Sequence, residues 1–512
     1  RYNEAIILRR WGVILEIIVF TSGGVLLVLE IIASRVLAPF FGNSIYVWGS
    51  LIGVFLAALS VGYAVGGRLA DRYPSTSLFA SIVFLAGLLT VPIPVIAGPV
   101  LDAIARADFG PQLNPLMSAL VLFVIPSIIM GMVSPFAVRL KARAVGTMGQ
   151  TAGNLYAIST VGSIVGTLVA SFILINFIGV RAIILICGVT LMVMAGLGWL
   201  AAGRRTTAAA AVVVAALIAT VVSRATPALP PSMIFQKDTV YHRITVSDEG
   251  SVRYLKLDNY WQSALDREQP ERTVFAYADY MHLPLIFVRE PRRAIMIGMG
   301  GGTLPARYVS DYPSVTMDVA EIDPRVIDTA RDYFGVNVGD RLKATARDGR
   351  LHLRLASESQ DIILTDAYLI DTIPFHLATR EFFTLVRARL APGGVLTSNI
   401  IGALDGPDSK LFRAIYKSIS QVFPTVYVFP VDYGKFGSPT SLRNIIVIAM
   451  EGPKLPRQEI ERRAKALVDA KVVTVDRFLT AAADLYETPI GVNDVPALSD
   501  DYAPIDMLIP PR

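Results

Sequence analysis

Of 512 residues, 53% are hydrophobic and only 17% charged, with a mean hydropathy of +0.53, which excludes intrinsic disorder and argues against a wholly water-soluble chain. Residues 11–223 hold 15 charged side chains and residues 224–512 hold 70, so the chain reads as a membrane half and a soluble half, each large enough for its own core. The net charge of +5 divides unevenly, as 13 Lys+Arg against 6 Asp+Glu in residues 1–223 and 34 against 36 thereafter. The basic excess belongs to membrane loops, and no nucleic-acid partner is expected. A single cysteine, Cys187, excludes an intrachain disulfide and a cysteine metal site.

Apolar runs long enough for roughly 30 Å of hydrocarbon occur at about 12–36, 45–67, 78–99, 115–138, 150–177, 181–202 and 206–223. They predict about seven α-helical spans in a transmembrane domain, residues 1–223. The first is too long for a cleavable signal peptide, carries Glu16 and Glu30, and is followed by further spans. Gly62 with Gly66, and Gly162 with Gly166, are spaced for close helix packing. Glu16 and Glu30 lie 14 residues apart, nearly four turns, and face a similar direction. They could line a polar path for a cation or polyamine; the alternative is a structural Glu30–Arg35 pair with Glu16 near the headgroups. Arg9/Arg10, Arg68/Arg72, Arg139/Lys141/Arg143 and Arg204/Arg205 share one side, which the positive-inside rule makes cytoplasmic. Seven spans would then leave the soluble half outside, whereas its chemistry points to the cytoplasmic face of an inner (cell) membrane.

After Arg224 the pattern shortens into β-type segments, Tyr241–Val246 and Arg253–Leu257, with Gly250 as the turn between them. This predicts an N-terminal β-hairpin module over residues 224–290. From Arg293, strands alternate with helices through Ala294–Ile297, Ser314–Ala320, Asp361–Thr365 and Val395–Asn399. That alternation predicts an α/β, Rossmann-like doubly wound parallel sheet over residues 291–512, with ligands beyond the strands' carboxyl ends.

The first strand runs into Gly298-Met299-Gly300-Gly301-Gly302-Thr303. Gly298, Gly300 and Gly302 would let the backbone approach a ligand near a helix N-terminus, and the spacing suits an S-adenosylmethionine-type nucleoside better than a dinucleotide. Glu321 closes the second strand, where a carboxylate can accept from two ribose hydroxyls; the bland reading of this acidic stretch is helix capping. Asp348 and Gly349 end the third strand, either as an acceptor for an adenine amino group or as an ordinary Asp-Gly turn. Asp366 ends the fourth, over the donor pocket, placed to hold and deprotonate a nucleophile. Asp371 either lines an amine pocket with it or caps the turn before Pro374. Four histidines, His242, His282, His352 and His376, show no ligand spacing, and no metal is expected.

Together these residues resemble the spermidine synthase (polyamine aminopropyltransferase) family, in particular its membrane-fused members, from about residue 233 to 512. The likeness is carried by Leu257-Asp258-Asn259-Tyr260-Trp261-Gln262-Ser263, Gly298–Leu304, Glu321-Ile322-Asp323-Pro324, Asp348-Gly349, Asp366-Ala367-Tyr368, Thr379-Arg380-Glu381-Phe382-Phe383, Pro392-Gly393-Gly394 and Asp500-Asp501-Tyr502-Ala503-Pro504. Gly66-Gly67-Arg68-Leu69-Ala70-Asp71-Arg72 is similar, more faintly, to a loop of facilitator-type transporters. The resemblance implies aminopropyl transfer from decarboxylated S-adenosylmethionine to a diamine such as putrescine, releasing methylthioadenosine. Glu321 would hold the ribose, Asp348 the adenine and Asp366 the proton, with Gln262, Tyr277, Tyr368 and Asp371 around the substrate.

Two departures stand out. The family's glycine run G-G-G-D-G-G here lacks its Asp, and D-S-x-D-P becomes Asp366-Ala367-Tyr368-Leu369, so intact S-adenosylmethionine is also a credible donor. Other S-adenosylmethionine chemistry (methyl transfer or sulfonium cleavage) and a non-catalytic polyamine sensor or transporter are the alternatives. The expected partners are a diamine or polyamine and the lipid bilayer, with homo-oligomerisation left open.

Overall fold

A computed structural model describes residues 2–42, 44–110, 112–142, 147–224, 230–368 and 372–509. The chain divides into two units, Arg1–Ala228 and Leu229–Pro511.

The first unit is built of helices: α1 (Tyr2–Phe41), α2 (Ile45–Arg72), α3 (Thr76–Thr90), α4 (Ile93–Ala107), α5 (Leu113–Gly131), α6 (Val133–Lys141), α7 (Met148–Val169), α8 (Ile175–Phe177), α9 (Val180–Ala201) and α10 (Arg205–Arg224). Ser44 and Ser75 start α2 and α3 by accepting from Val47 N and Leu78 N, each at 3.4 Å, which satisfies amides that have no partner inside the helix. Among the described residues, five helices are long and apolar enough to cross a membrane, or six if α3 and α4, bent by 53°, count as one broken span. The expectation was about seven. The third expected span bends at Val91-Pro92, where a residue without an N–H interrupts the ladder. The seventh expected span, 206–223, coincides with α10, Arg205–Arg224, of which the stretch Arg205–Ile218 is apolar.

Glycines set how closely these helices pack. A Cβ on Gly162 of α7 would lie 2.0 Å from the Phe20 carbonyl oxygen of α1, and one on Gly166 would lie 2.3 Å from that of Gly24. Gly62 and Gly66 of α2 meet Ile128 and Met132 in the same way, at 2.3 and 2.6 Å. Glu16 pairs with Lys141 of α6, and Asp71 with Arg139 at 3.0 Å. Lys141 thus takes up Glu16 as a packing partner of α6, while Glu30 is half-buried farther along α1.

The second unit opens with a four-stranded antiparallel sheet in the order β1 (Met233–Asp238), β2 (Arg243–Glu249), β3 (Val252–Leu257), β4 (Tyr260–Asp266). Gly250 turns β2 into β3 at φ +62°, and Asp258 begins the next turn at φ +55°, accepting from Arg243 N at 3.0 Å. The motif Leu257–Ser263 runs from the end of β3 into the edge strand β4.

A seven-stranded sheet follows, built from β5 (Arg293–Ile297), β6 (Thr316–Glu321), β7 (Leu342–Ala346), β8 (Gln360–Thr365), β9 (Leu390–Gly402), β10 (Thr425–Pro430) and β11 (Arg443–Met450). Their order is β10-β11-β9-β8-β5-β6-β7. The strands from β9 to β7 are parallel, but β11 runs antiparallel to both β9 and β10. A parallel sheet was expected; β11 instead enters it antiparallel to both of its neighbours. Helices α11 (Ala276–Tyr280), α12 (Thr303–Asp311), α13 (Pro324–Phe334), α14 (Gly349–Leu355), α15 (Arg380–Arg389) and α16 (Lys410–Ser420) accompany it. Alternation along β5 sends Ala294 and Met296 into one core and Ile295 and Ile297 into another. With both faces covered, the interiors of β5 and β8 are apolar.

Because the overlap at Gly162 is with backbone, Gly162→Ala should destabilise the helical unit by about 1–3 kcal/mol. Gly53→Ala, where a Cβ meets nothing within 4 Å, should be neutral or stabilising by up to about 1 kcal/mol. Thermal unfolding of the detergent-solubilised chain checks the pair.

Candidate active site

The crevice of an open α/β sheet lies where neighbouring strands send their connections to opposite sides. Here that point is between β5 and β8, paired through Ile297 and Thr365, and the two segments leaving it hold the site together. Asp366 N donates to Ile297 O at 2.9 Å. Gly298 sits at φ +91°, and a Cβ there would be 2.2 Å from the Asp366 carbonyl oxygen. Gly300 and Gly302 also adopt positive φ, +54° and +71°, so the run is required by backbone conformation and by close approach. It delivers the chain into α12.

The Asp366 carboxylate is held from both sides. Its Oδ2 accepts from the Tyr277 hydroxyl at 3.1 Å, and its Oδ1 from Asn399 Nδ2 at 2.8 Å. Asn399 is fixed in turn by Asn444 Nδ2, donating to its Oδ1 at 3.0 Å. Tyr368 closes the same corner by donating to Asn399 O at 2.8 Å and accepting from Ile401 N at 2.9 Å. Burial raises the pKa of Asp366, while the hydrogen bonds from Asn399 and Tyr277 oppose the rise. Burial, with the neighbouring Asp366 charge, also holds the Tyr277 phenol protonated. Asp366, Tyr277, Tyr368, Gln262 and Gly300 line one cavity of about 400 Å³, so strands, turn and loop residues distant in sequence converge there.

Glu321 lies on the other side of the glycine run. Its Oε2 accepts from Met299 N and its Oε1 from Asp323 N, both at 3.0 Å. Burial raises its pKa against these two amide bonds, and each oxygen keeps a further acceptor position. Asp323 both caps α13, through Arg325 N at 2.9 Å, and accepts from Thr239 Oγ1. Asp348 is more committed than expected: its Oδ1 caps α14 through Leu351 N at 2.9 Å, and its Oδ2 meets His376 Nε2 at 2.8 Å. A ligand amino group reaching Asp348 therefore competes with His376. Gly349 is packed against Ile297, which a Cβ would meet at 2.2 Å. Asp371 lies outside the described residues.

Sequence reasoning missed Asn399, Asn444, Tyr241 and Arg307. Asn399 ends the strand expected over Val395–Asn399 and could have been found as the next strand-end polar residue. Tyr241 has no such signal. Burial and then the charges of Asp323, Asp348 and Glu321 raise its phenol pKa, placing it near these three carboxylates.

Residues 274–456 match the family model for the spermine/spermidine synthase domain. A polyamine aminopropyltransferase from Vibrio vulnificus is 26% identical over 291 residues, covering 54% of this chain and 91% of that protein. An eEF1A lysine and N-terminal methyltransferase from Danio rerio is 32% identical over 149 residues, covering 27% of this chain and 21% of that protein. Among solved structures, a probable spermidine synthase from Corynebacterium glutamicum aligns at TM-score 0.41 and 19% identity, over 53% of this chain and all of that one. A spermine/spermidine synthase domain thus occupies residues 274–456, and through it this chain is similar to the polyamine aminopropyltransferases.

Proposed function

We propose that this chain is a membrane-anchored aminopropyltransferase that moves the aminopropyl group of decarboxylated S-adenosylmethionine to an amine, with a diamine such as putrescine as the acceptor the relatives suggest. The observation that carries the reading is the Asp366 carboxylate, facing a cavity between Tyr277 and Asn399 at the switch point of a spermidine synthase domain.

The acceptor is protonated near neutral pH and reacts only as the free amine. Asp366 stabilises the ammonium on arrival and accepts the proton that must leave. The amine nitrogen then attacks the propyl carbon bonded to sulfur: a C–N bond forms, the C–S bond breaks, and its electron pair neutralises the sulfonium as methylthioadenosine. Because the sulfonium is a good leaving group, alignment supplies much of the acceleration. Glu321 would fix the ribose, with the glycine run against the donor's backbone-facing edge. Asp348 would accept from the adenine amino group once His376 yields.

Methyl transfer from intact S-adenosylmethionine is the second reading, favoured by the Danio rerio methyltransferase relative. Mass spectrometry of the nucleoside product separates the two: methylthioadenosine for aminopropyl transfer, S-adenosylhomocysteine for methyl transfer.

Asp366→Asn should lower kcat about 10²–10⁴-fold while leaving donor affinity intact, since Asn keeps the shape but takes no proton. Parental turnover would make the carboxylate structural. The acid limb of kcat/KM should lie above the ordinary carboxylate range, because burial favours the protonated, inactive Asp366. The Tyr277 hydrogen bond favours the ionised form, so Tyr277→Phe should move that limb to higher pH.

Glu321→Ala removes up to two charge-assisted bonds of roughly 1.5–3 kcal/mol each, and calorimetry with methylthioadenosine should read the loss. For the membrane, the reading places the soluble unit on the cytoplasmic face, where S-adenosyl donors are made. Ser359→Cys should then label with an impermeant thiol reagent only after permeabilisation, since the native Cys187 is buried. Labelling on intact cells would put the domain outside.

A further inference from the structure

The charge lining the cavity suits a diamine poorly. Asp366 is the only carboxylate among the described residues that line it, and two guanidiniums, Arg272 and Arg307, line it as well. A substrate with an ammonium at each end could place one against Asp366, but a second one inside the same cavity would meet like charge.

Arg307 is the better positioned of the two. Thr303, Leu304 and Arg307 all line the cavity from α12, at the spacing of one helical face. The Arg307 Nε donates to Asp311 Oδ2 at 3.0 Å. Its Nη1 donates to Glu271 O and, at 3.2 Å, to Thr273 Oγ1. These bonds tether it to the loop that borders the cavity. Nη2 makes no hydrogen bond among the described residues and is the donor left for a ligand. Asp311 shares the charge from the same helix. Asp279 of α11 is buried and pairs with Arg477 at 3.5 Å. Arg272 is more exposed and lies 4.0 Å from Asp266. His282, also in the lining, adds no charge: burial, and then the Arg307 charge, hold its pKa down to about 3.

We propose that this pocket takes an amine that also carries a carboxylate, with the amine at Asp366 and the carboxylate at Arg307. The inference rests on the aminopropyltransferase reading for its chemistry and replaces the diamine with an amino acid as acceptor class. A planar carboxylate matches the free edge of a guanidinium, and the like charge that admits it repels a second ammonium. The transfer step is unchanged, since the nucleophile is still a free amine that gives its proton to Asp366. A carboxylate could also arrive on the methionyl tail of intact S-adenosylmethionine, and the test distinguishes that source.

Putrescine and 4-aminobutyrate have the same four-carbon chain and differ in one end, ammonium against carboxylate. Calorimetric binding of each to the full chain, saturated with methylthioadenosine in detergent, reads the preference whether or not turnover occurs. The expectation is at least about 10-fold tighter binding of 4-aminobutyrate, lost in Arg307→Gln, reversed in Arg307→Glu and kept in Arg307→Lys. Retention by Lys shows that charge, rather than the loop bonds of the guanidinium, sets the preference. With decarboxylated S-adenosylmethionine present, the aminopropyl adduct of 4-aminobutyrate should form together with methylthioadenosine. Adduct-free binding with the same Arg307 dependence would support the pocket assignment and overturn the transferase reading instead. Equal or tighter putrescine binding, binding of neither amine, or a preference unchanged in Arg307→Gln would overturn the inference. So would a preference for intact over decarboxylated S-adenosylmethionine that disappears in Arg307→Gln, because the carboxylate would then be the donor's.

Discussion

A half-buried carboxylate at the end of a buried strand is the constraint around which the soluble unit is arranged. Asp366 follows β8, whose residues 362–365 are buried, and is itself half-buried, so protein groups take over part of its hydration. Tyr277, from the short α11, supplies one hydrogen bond, and Asn399, from β9, supplies the other. Asn399 needs Asn444 to fix its amide, which extends the requirement to the antiparallel β11. The mixed sheet therefore has a chemical consequence: the strand that breaks the parallel pattern carries the residue that orients the carboxylate's partner.

Backbone contact is equally restrictive. Gly298 passes within a Cβ's reach of the Asp366 carbonyl, and Gly349 packs on Ile297. The ends of β5, β7 and β8 are thus locked to one another before any ligand binds. Preorganisation of this kind lowers the reorganisation a polar site undergoes during reaction. Glu321 shows the same economy, since the amides that hold it belong to Met299 of the glycine run and Asp323 of the next turn.

The helical unit meets its own constraint by different means. Its helices are apolar on many sides and pack through glycines whose hydrogens are all that fits against the opposing backbone, as at Gly162 and Gly62. Close backbone approach of this sort lets the helices associate through van der Waals packing.

Local patterns were legible in the sequence because they depend on short-range physics. Apolar run length marked the helical unit; glycine spacing marked the positive-φ loop; the carboxylates Glu321, Asp348 and Asp366 stood at strand ends because a strand buried on both faces can carry charge only where it emerges. Contacts between distant segments were not legible. Nothing near Asp366 in the chain announces Tyr277, 89 residues earlier, or Asn399, 33 residues later, and Arg307 reads as an ordinary helical arginine until α12 is set beside the cavity. The antiparallel placement of β11 was likewise decided by how separate strands pair. The sequence by itself determined which residues must be buried, turned or charged, since those follow from solvation and backbone sterics. Only the tertiary structure decided which charges face one another across the cavity, because that depends on how separate strands and helices are brought side by side.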